Sequence, residues 1–451
     1  DLHSFPTRRS SDLAITDGNE NGMVFGSSRG DIAAPGVRDD HCAWVYDTHV
    51  TIGEKNAGTG AESGPAIKGS VYGGGENGHV FNNTVVTVNG GTIGIIDSSD
   101  PGYSISTYSG ADYPYRGNVY GGGCGTDTYT YTTTERYDSN EDGEITDADD
   151  YAKAEAYNPL SGIVYGTTTV NINGGTVAHN VYGAGAMGSV GTMEITKDNT
   201  GKVTNVVITS GGTTTINISG GQVGDDGDKD GNVFGAARGD AATTQKDVAL
   251  VKTTNVTISG ANTMVKGNVY GGGETGDVGT YTTDNEDTNT YLEGSGVCNV
   301  KITGGTVGHD GNGNGNVFGA GKGDASTFKC MKAMVKETNV SISNGLVKGN
   351  VYGGGELGRV EYDTHVTIGP ESGSNAPEII GSVFGAGAGV ETHGYSALVR
   401  RDANVTVQGN AKVRQNVYGG GQIATVGRYR IATKDNMDDP DFRAAHPGIE
   451  V

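Results

Sequence analysis

Gly349–Val360 reads G-N-V-Y-G-G-G-E-L-G-R-V, an apolar residue and an aromatic directly before a run of glycines. Variants recur ten times, with the aromatic at Phe25, Tyr72, Tyr120, Tyr182, Phe234, Tyr270, Phe318, Tyr352, Phe384 and Tyr418. Successive spacings are 47, 48, 62, 52, 36, 48, 34, 32 and 34 residues. Recurrence at such periods identifies a repeat architecture, in which each unit contacts chiefly its neighbours. The units come in two flavours. A Tyr type reads V-Y-G-G-G-E-x-G at Tyr72, Tyr270 and Tyr352, with Cys124 and Gln422 in place of Glu in two others, and Tyr182 is intermediate. A Phe type reads V-F-G-A/S-x-R/K-G-D at Phe25, Phe234 and Phe318 and lapses at Phe384. From Phe234 onward the flavours alternate, so the true period is a pair of units.

A second signature, T/N-V-T-I-x-G-G-x-V, precedes most aromatic copies, as in Asn299–Val307 (NVKITGGTV), Thr169–Val177 (TVNINGGTV) and Thr215–Val223 (TINISGGQV). Val and Ile alternate with Thr, Ser, Asn or Lys, the period of a half-buried strand. The G-G or N-G that follows permits positive φ and a tight bend. A short strand then enters through V-Y or V-F. The expected fold is all-β, a parallel β-helix (β-solenoid) of about ten rungs stacked about 4.8 Å apart. Insertions then bulge from its corners, one of them holding a calcium loop and a short helix. A β-propeller and a β-roll are the alternatives; a propeller blade needs about four strands per 40–50 residues, whereas the shortest units show two. Whether the aromatics face in or out stays open, because Val351 and Tyr352 alternate.

Of 451 residues 80 are Gly and 10 Pro, without a G-X-Y triplet, which excludes collagen. A net charge of −22 disfavours nucleic acid and anionic membranes as partners. No apolar run approaches the roughly 20 residues that span a bilayer. Cys42, Cys124, Cys298 and Cys330 form no C-x-x-C pair, and their disulfide state stays open. Asp1–Leu13 (DLHSFPTRRSSDL) departs from the pattern and back-translates to a common sequencing-library adapter, so it is expected to be an artefact. The repeat domain is expected over 14–425, with an insertion at 124–160, and a non-repeat tail over 426–451.

The sharpest chemical motif is D-S-N-E-D-G-E-I-T-D-A-D at Asp138–Asp149. Its spacing is that of a twelve-residue calcium loop, with Asp138, Asn140 and Asp142 supplying side-chain oxygens and Gly143 the sharp turn. Glu144 offers its carbonyl, Thr146 acts directly or through water, and Asp149 closes the shell. Asp149–Tyr157 (DDYAKAEAY) reads as an exiting helix ended by Asn158-Pro159. The loop resembles the dockerin type, although no second loop of that quality is present.

Weaker candidates surround the Phe-type units. Asp17–Gly26, Asp226–Gly235 and Asp310–Gly319 repeat half of a calcium loop, and Asp31, Asp240 or Asp324 could complete it from the next corner. Tight turns alone select the same residues. Arg29-Gly30-Asp31 and Arg238-Gly239-Asp240 are RGD tripeptides, but Lys322-Gly323-Asp324 at the equivalent place marks them as repeat drift. His49 and His365 sit in identical octapeptides (YDTHVTIG) and read as strand residues. No nucleophile elbow, H-E-x-x-H or phosphate-cradling loop occurs. The insertion Asp100–Arg116 carries four tyrosines suited to stacking on sugars or proteins.

Over about Gly22–Gln422 the V-Y-G-G-G and V-T-I-x-G-G repeats resemble bacterial secreted or surface-displayed adhesin-like β-solenoid proteins. That resemblance implies an extracellular or cell-surface scaffold, stabilised by calcium, that presents loops to host or matrix glycans or proteins. It implies neither nucleic-acid binding nor membrane insertion. The competing class is a carbohydrate-active β-helix enzyme, a polysaccharide lyase or glycosidase, which requires an acid/base pair at one irregular place.

Overall fold

Alternating Val/Ile and Thr/Asn residues cannot bury an apolar face alone, so each repeat pairs with the next. The computed structural model describes residues 22–30, 43–95, 117–139, 144–147, 150–225, 231–243, 245–283, 289–310, 314–327 and 329–427. It is all-β, with no helix among the described residues. Ten two-residue strands, from Val24–Phe25 to Val417–Tyr418, form one sheet in sequence order. Neighbours are parallel and in register, Val on Val and aromatic on aromatic. A 16-stranded sheet gathers the T-V-T-I strands, such as Thr168–Ile172 and Thr364–Ile368, and the short strands that follow them. Parallel bridges run in series from Val80 through Val164 to Val190, from Val251 to Val278, and from Val335 through Val360 and Val399 to Val426.

Both residues of each V-Y or V-F strand are buried from Val71 to Phe384, on opposite sides. The valines join the Val/Ile core with Ile172, Ile218 and Ile258. The aromatics stack on one another from Phe25 to Tyr418, with neighbouring ring centroids 4.5 to 5.0 Å apart. Sequence alternation alone could not decide this, because both faces of a strand only two residues long are packed.

From Gly26 to Gly385, the glycine after the aromatic is required by close approach. A Cβ on Gly353 would lie 2.0 Å from the carbonyl oxygen of Gly385 in the next repeat. Positive φ matters instead at the bend after the T-V-T-I strand, as at Gly175 (φ 76°) and Gly221 (φ 71°). Buried threonines pin strand to corner: Thr168, Thr214 and Thr364 donate from Oγ1 to the carbonyls of Gly183, Gly235 and Gly385, each at 2.5 Å. Cys298 occupies this column between Thr254 and Thr338, and burial pushes its thiol up to about 12. Asparagines form a second column, the Oδ1 of Asn180, Asn232, Asn268, Asn316 and Asn350 each accepting an amide of the following repeat.

The two flavours have a physical cause. Four residues after the aromatic stand Arg29, Glu76, Cys124, Ala186, Arg238, Glu274, Lys322, Glu356, Ala388 and Gln422. Parallel pairing places these in one column, so a cation in a Phe-type repeat meets an anion in a Tyr-type one. Arg29 lies 3.5 Å from Glu76, and Lys322 3.0 Å from Glu274. Where Tyr-type repeats are adjacent, Cys124 and Ala186 replace the acid and no two carboxylates meet. Tyrosine hydroxyls reach two repeats along, Tyr182 to Glu274 (2.7 Å), Tyr270 to Glu356 (2.5 Å) and Tyr352 to Gln422 (2.6 Å). The intervening phenylalanines have no hydroxyl to place there.

Burial raises the Glu274 carboxyl, but Lys322, Arg238 and the Tyr182 hydroxyl outweigh it and hold the group below the usual carboxylate range. The stabilisation is therefore present above the unfolded-state value and is lost as pH falls through the folded one. The side chains of Glu274 and Lys322 are 18% and 41% exposed, so water screens the pair. Glu274→Gln should cost about 1 kcal/mol at neutral pH, and the gap from wild type should close on acidification. Urea midpoints at a series of pH values measure this, and a gap constant into the acid limb would exclude the electrostatic origin.

Candidate binding cleft and the calcium loop

Insertions from several repeats converge on one side of the stack and enclose a cleft of about 550 Å³. One wall is the antiparallel hairpin of Thr128–Arg136 and Tyr151–Tyr157. A second is the hairpin of Thr192–Lys197 and Val203–Ser210. Thr243, Gln245–Asp247, Leu250, Asp277 and Gly279–Tyr281 complete it.

The hairpin corrects the expected helix at Asp149–Tyr157, since Tyr151–Tyr157 is a strand. Tyr151, Lys153 and Glu155 are exposed while Ala152, Ala154 and Ala156 are half-buried, a period of two. The helix propensity of Ala, Lys and Glu is a weak preference, and pairing with the β-branched and aromatic run Thr128–Thr132 overrides it.

The walls are tied by side chain to backbone. The Gln245 amide pairs with Tyr157 as a strand would, Oε1 accepting from its N–H (2.8 Å) and Nε2 donating to its carbonyl (2.6 Å). The Tyr157 hydroxyl donates to Asp240 (3.0 Å), and the amide of Val203 donates to the Tyr129 hydroxyl (2.8 Å). Lys197 and Lys202 lie over the rings of Tyr129 and Tyr131, at 5.3 and 5.4 Å. The cleft thus offers half-buried aromatic faces beside hydroxyl and amide groups (Thr128, Thr204, Asn205, Thr243), the chemistry that stacks on and hydrogen-bonds a sugar.

Two carboxyls in it are perturbed. Burial pushes Asp277 up to about 6, against Lys246, the Met334 amide, Tyr281 and Arg359. Its Oδ1 accepts from Met334 N (2.8 Å) and its Oδ2 from the Tyr281 hydroxyl (3.3 Å). Burial also raises Asp247, opposed by its own amide, Gln245 and Lys202. Beneath this region Glu361 joins Arg359 (2.6 Å) and Arg400 (2.7 Å), the latter too oblique for a hydrogen bond. No local motif joins Asp247, Asp277 and Glu361, because they come from different repeats.

Of the sequence-predicted calcium ligands, Asp138, Glu144 and Thr146 lie at the tip of the first hairpin; Asn140, Asp142 and Asp149 lie outside the described residues. The loop is closed at its neck, where Tyr137 N donates to Asp150 O (3.1 Å) and Asp150 N to Ser139 Oγ (3.0 Å). Among the described residues no cluster of three or more His, Cys, Asp or Glu is placed to hold a metal. Of the Phe-type acids, Asp310 pairs with Lys348 (2.9 Å) and Asp324 with Lys332 (3.5 Å). Asp17, Asp31 and 226–230 lie outside the described residues, as do Asp1–Leu13, the tyrosine-bearing 100–116 and the tail from 428. His49 and His365 are exposed strand residues. Cys124, Cys298 and Cys330 are buried. No helix is long and apolar enough to cross a membrane among the described residues. No protein-family model, curated protein or solved structure matches the chain.

Proposed function

We propose that the two parallel sheets and the row of valine bridges are faces of one parallel β-helix (β-solenoid) of about ten rungs. On this reading the chain is an adhesin-like extracellular or cell-surface scaffold whose inserted loops contact a host or matrix glycan or protein. The observation that carries it is the convergence of separate insertions on one tyrosine-lined cleft. Regular repeats supply rigidity and insertions supply recognition, and the exposed polar and aromatic lining favours a glycan. Calcium, held by Asp138, Asn140, Asp142, Glu144, Thr146 and Asp149, would neutralise the acidic tip of the first hairpin. The hairpin setting leaves the loop without the flanking helix of its dockerin-type counterparts.

Calorimetry of the full chain, titrated first with calcium and then with glycans selected on an array, tests both halves. One calcium site lost in Asp142→Asn is expected, together with glycan binding weakened about tenfold by Tyr131→Ala. Absence of any glycan ligand would overturn the cleft reading. A second reading, hydrolysis of a glycan, draws on two carboxyls in one cleft, with Asp277, which burial pushes up to about 6, as the acid and Asp247 as its partner. Product formation that disappears in Asp277→Asn would favour it.

A further inference from the structure

The cleft continues past Asp277 into a hollow of about 330 Å³ between the insertions that follow Phe234 and Phe318. Lys246, Lys329 and Lys332 line it together with Val248 and Met331. Three lysines in so small a space stand out in a chain with 31 basic residues against 53 acidic ones. We propose that this hollow is a subsite for the anionic group, carboxylate or sulfate, of an acidic oligosaccharide lying in the tyrosine-lined cleft. The proposal rests on the glycan reading of that cleft and adds the class of sugar.

Lys332 helps to build the hollow. Its ammonium lies 3.5 Å from Asp324 Oδ2 and donates to the carbonyls of Asp240 and Ala241, joining the two insertions. Lys246 is exposed and Lys329 half-buried, and their aliphatic stems beside Val248 and Met331 give an apolar floor under cationic heads. The acid at the junction, Asp277, already has both oxygens engaged, accepting hydrogen bonds from Met334 N and the Tyr281 hydroxyl. The adjoining hydroxyl, amide and tyrosine lining suits sugar rings better than an acidic peptide.

The test is calorimetry of the full chain with four probes: a galacturonate oligosaccharide, its methyl ester, a heparin-derived oligosaccharide and a polyglutamate peptide. At least one acidic sugar should bind about tenfold or more tightly than the neutral methyl ester, and which one does so separates carboxylate from sulfate. Lys246→Gln with Lys329→Gln should remove that preference, and Lys329→Gln alone should reduce it with methyl-ester binding unchanged, whereas Tyr131→Ala should weaken every sugar. Equal binding of acidic and neutral sugars would overturn the subsite while leaving the cleft reading intact. So would a preference that survives loss of both lysines. Polyglutamate binding as tightly as the acidic sugars, with the same lysine dependence, would overturn the sugar assignment. Binding of no sugar at all would remove the subsite and the cleft reading together.

Discussion

Tyr270→Ala is expected to destabilise the protein by about 3–5 kcal/mol, the usual loss for a large aromatic removed from a packed core. The ring is 2% exposed and stacked between Phe234 (4.7 Å) and Phe318 (4.9 Å). Its hydroxyl donates to Glu356 (2.5 Å) and accepts from Asn268 (3.2 Å). Alanine opens a gap in the aromatic column that backbone shifts cannot close, because in-register pairing holds the neighbouring repeats at fixed spacing. Tyr270→Phe keeps the stack and should cost only about 1–2 kcal/mol, the price of leaving Glu356 without its donor. Since each repeat contacts chiefly its neighbours, the loss should also divide one urea transition into two. Circular dichroism during urea titration reads both effects; equal losses for the two variants would show that the stack itself contributes little.

Glu361→Ala should be comparably costly, about 3–5 kcal/mol, because it leaves two cations facing each other away from water. The side chains of Glu361 and Arg359 are 0% and 2% exposed, and Arg400 is 11% exposed. The Arg359 guanidinium also lies 5.3 Å from the Tyr395 ring. Removing the whole group behaves differently. Arg359→Met, Glu361→Leu and Arg400→Met combined should recover most of the loss, since no charge is then left uncompensated. The control is Glu378→Ala, which breaks the pair with Arg414 (2.6 Å, with 57% and 30% exposed side chains) and should cost at most about 1 kcal/mol. Thermal and urea unfolding of these variants decide the matter; a Glu361→Ala loss no larger than that of Glu378→Ala would mean that water reaches the cluster.

The strands Thr168–Ile172 and Val351–Tyr352 stand where alternation and glycine placed them, because those signals are local. Period two is visible in five residues, and a bend that needs positive φ announces itself as G-G. Tyr151–Tyr157 was misread as helix for the same reason: Ala, Lys and Glu carry helical preference, and the strand that overrides it lies across the hairpin at Thr128–Arg136. The alternation of Phe-type and Tyr-type units is plain in the chain, yet its cause requires knowing that Glu274 sits beside Lys322 and two repeats from Tyr182.

By itself the sequence determined the repeat, the positions of its recurring strands and the all-β class, all of which depend on residues a few positions apart. Tertiary structure alone decided that the aromatics stack inside, that the charges four residues after the aromatics meet as opposed pairs, and that separate insertions make one cleft. Those features depend on which residues parallel stacking brings together. Tyr129, Asp247 and Asp277 belong to different repeats, and no local pattern encodes their meeting.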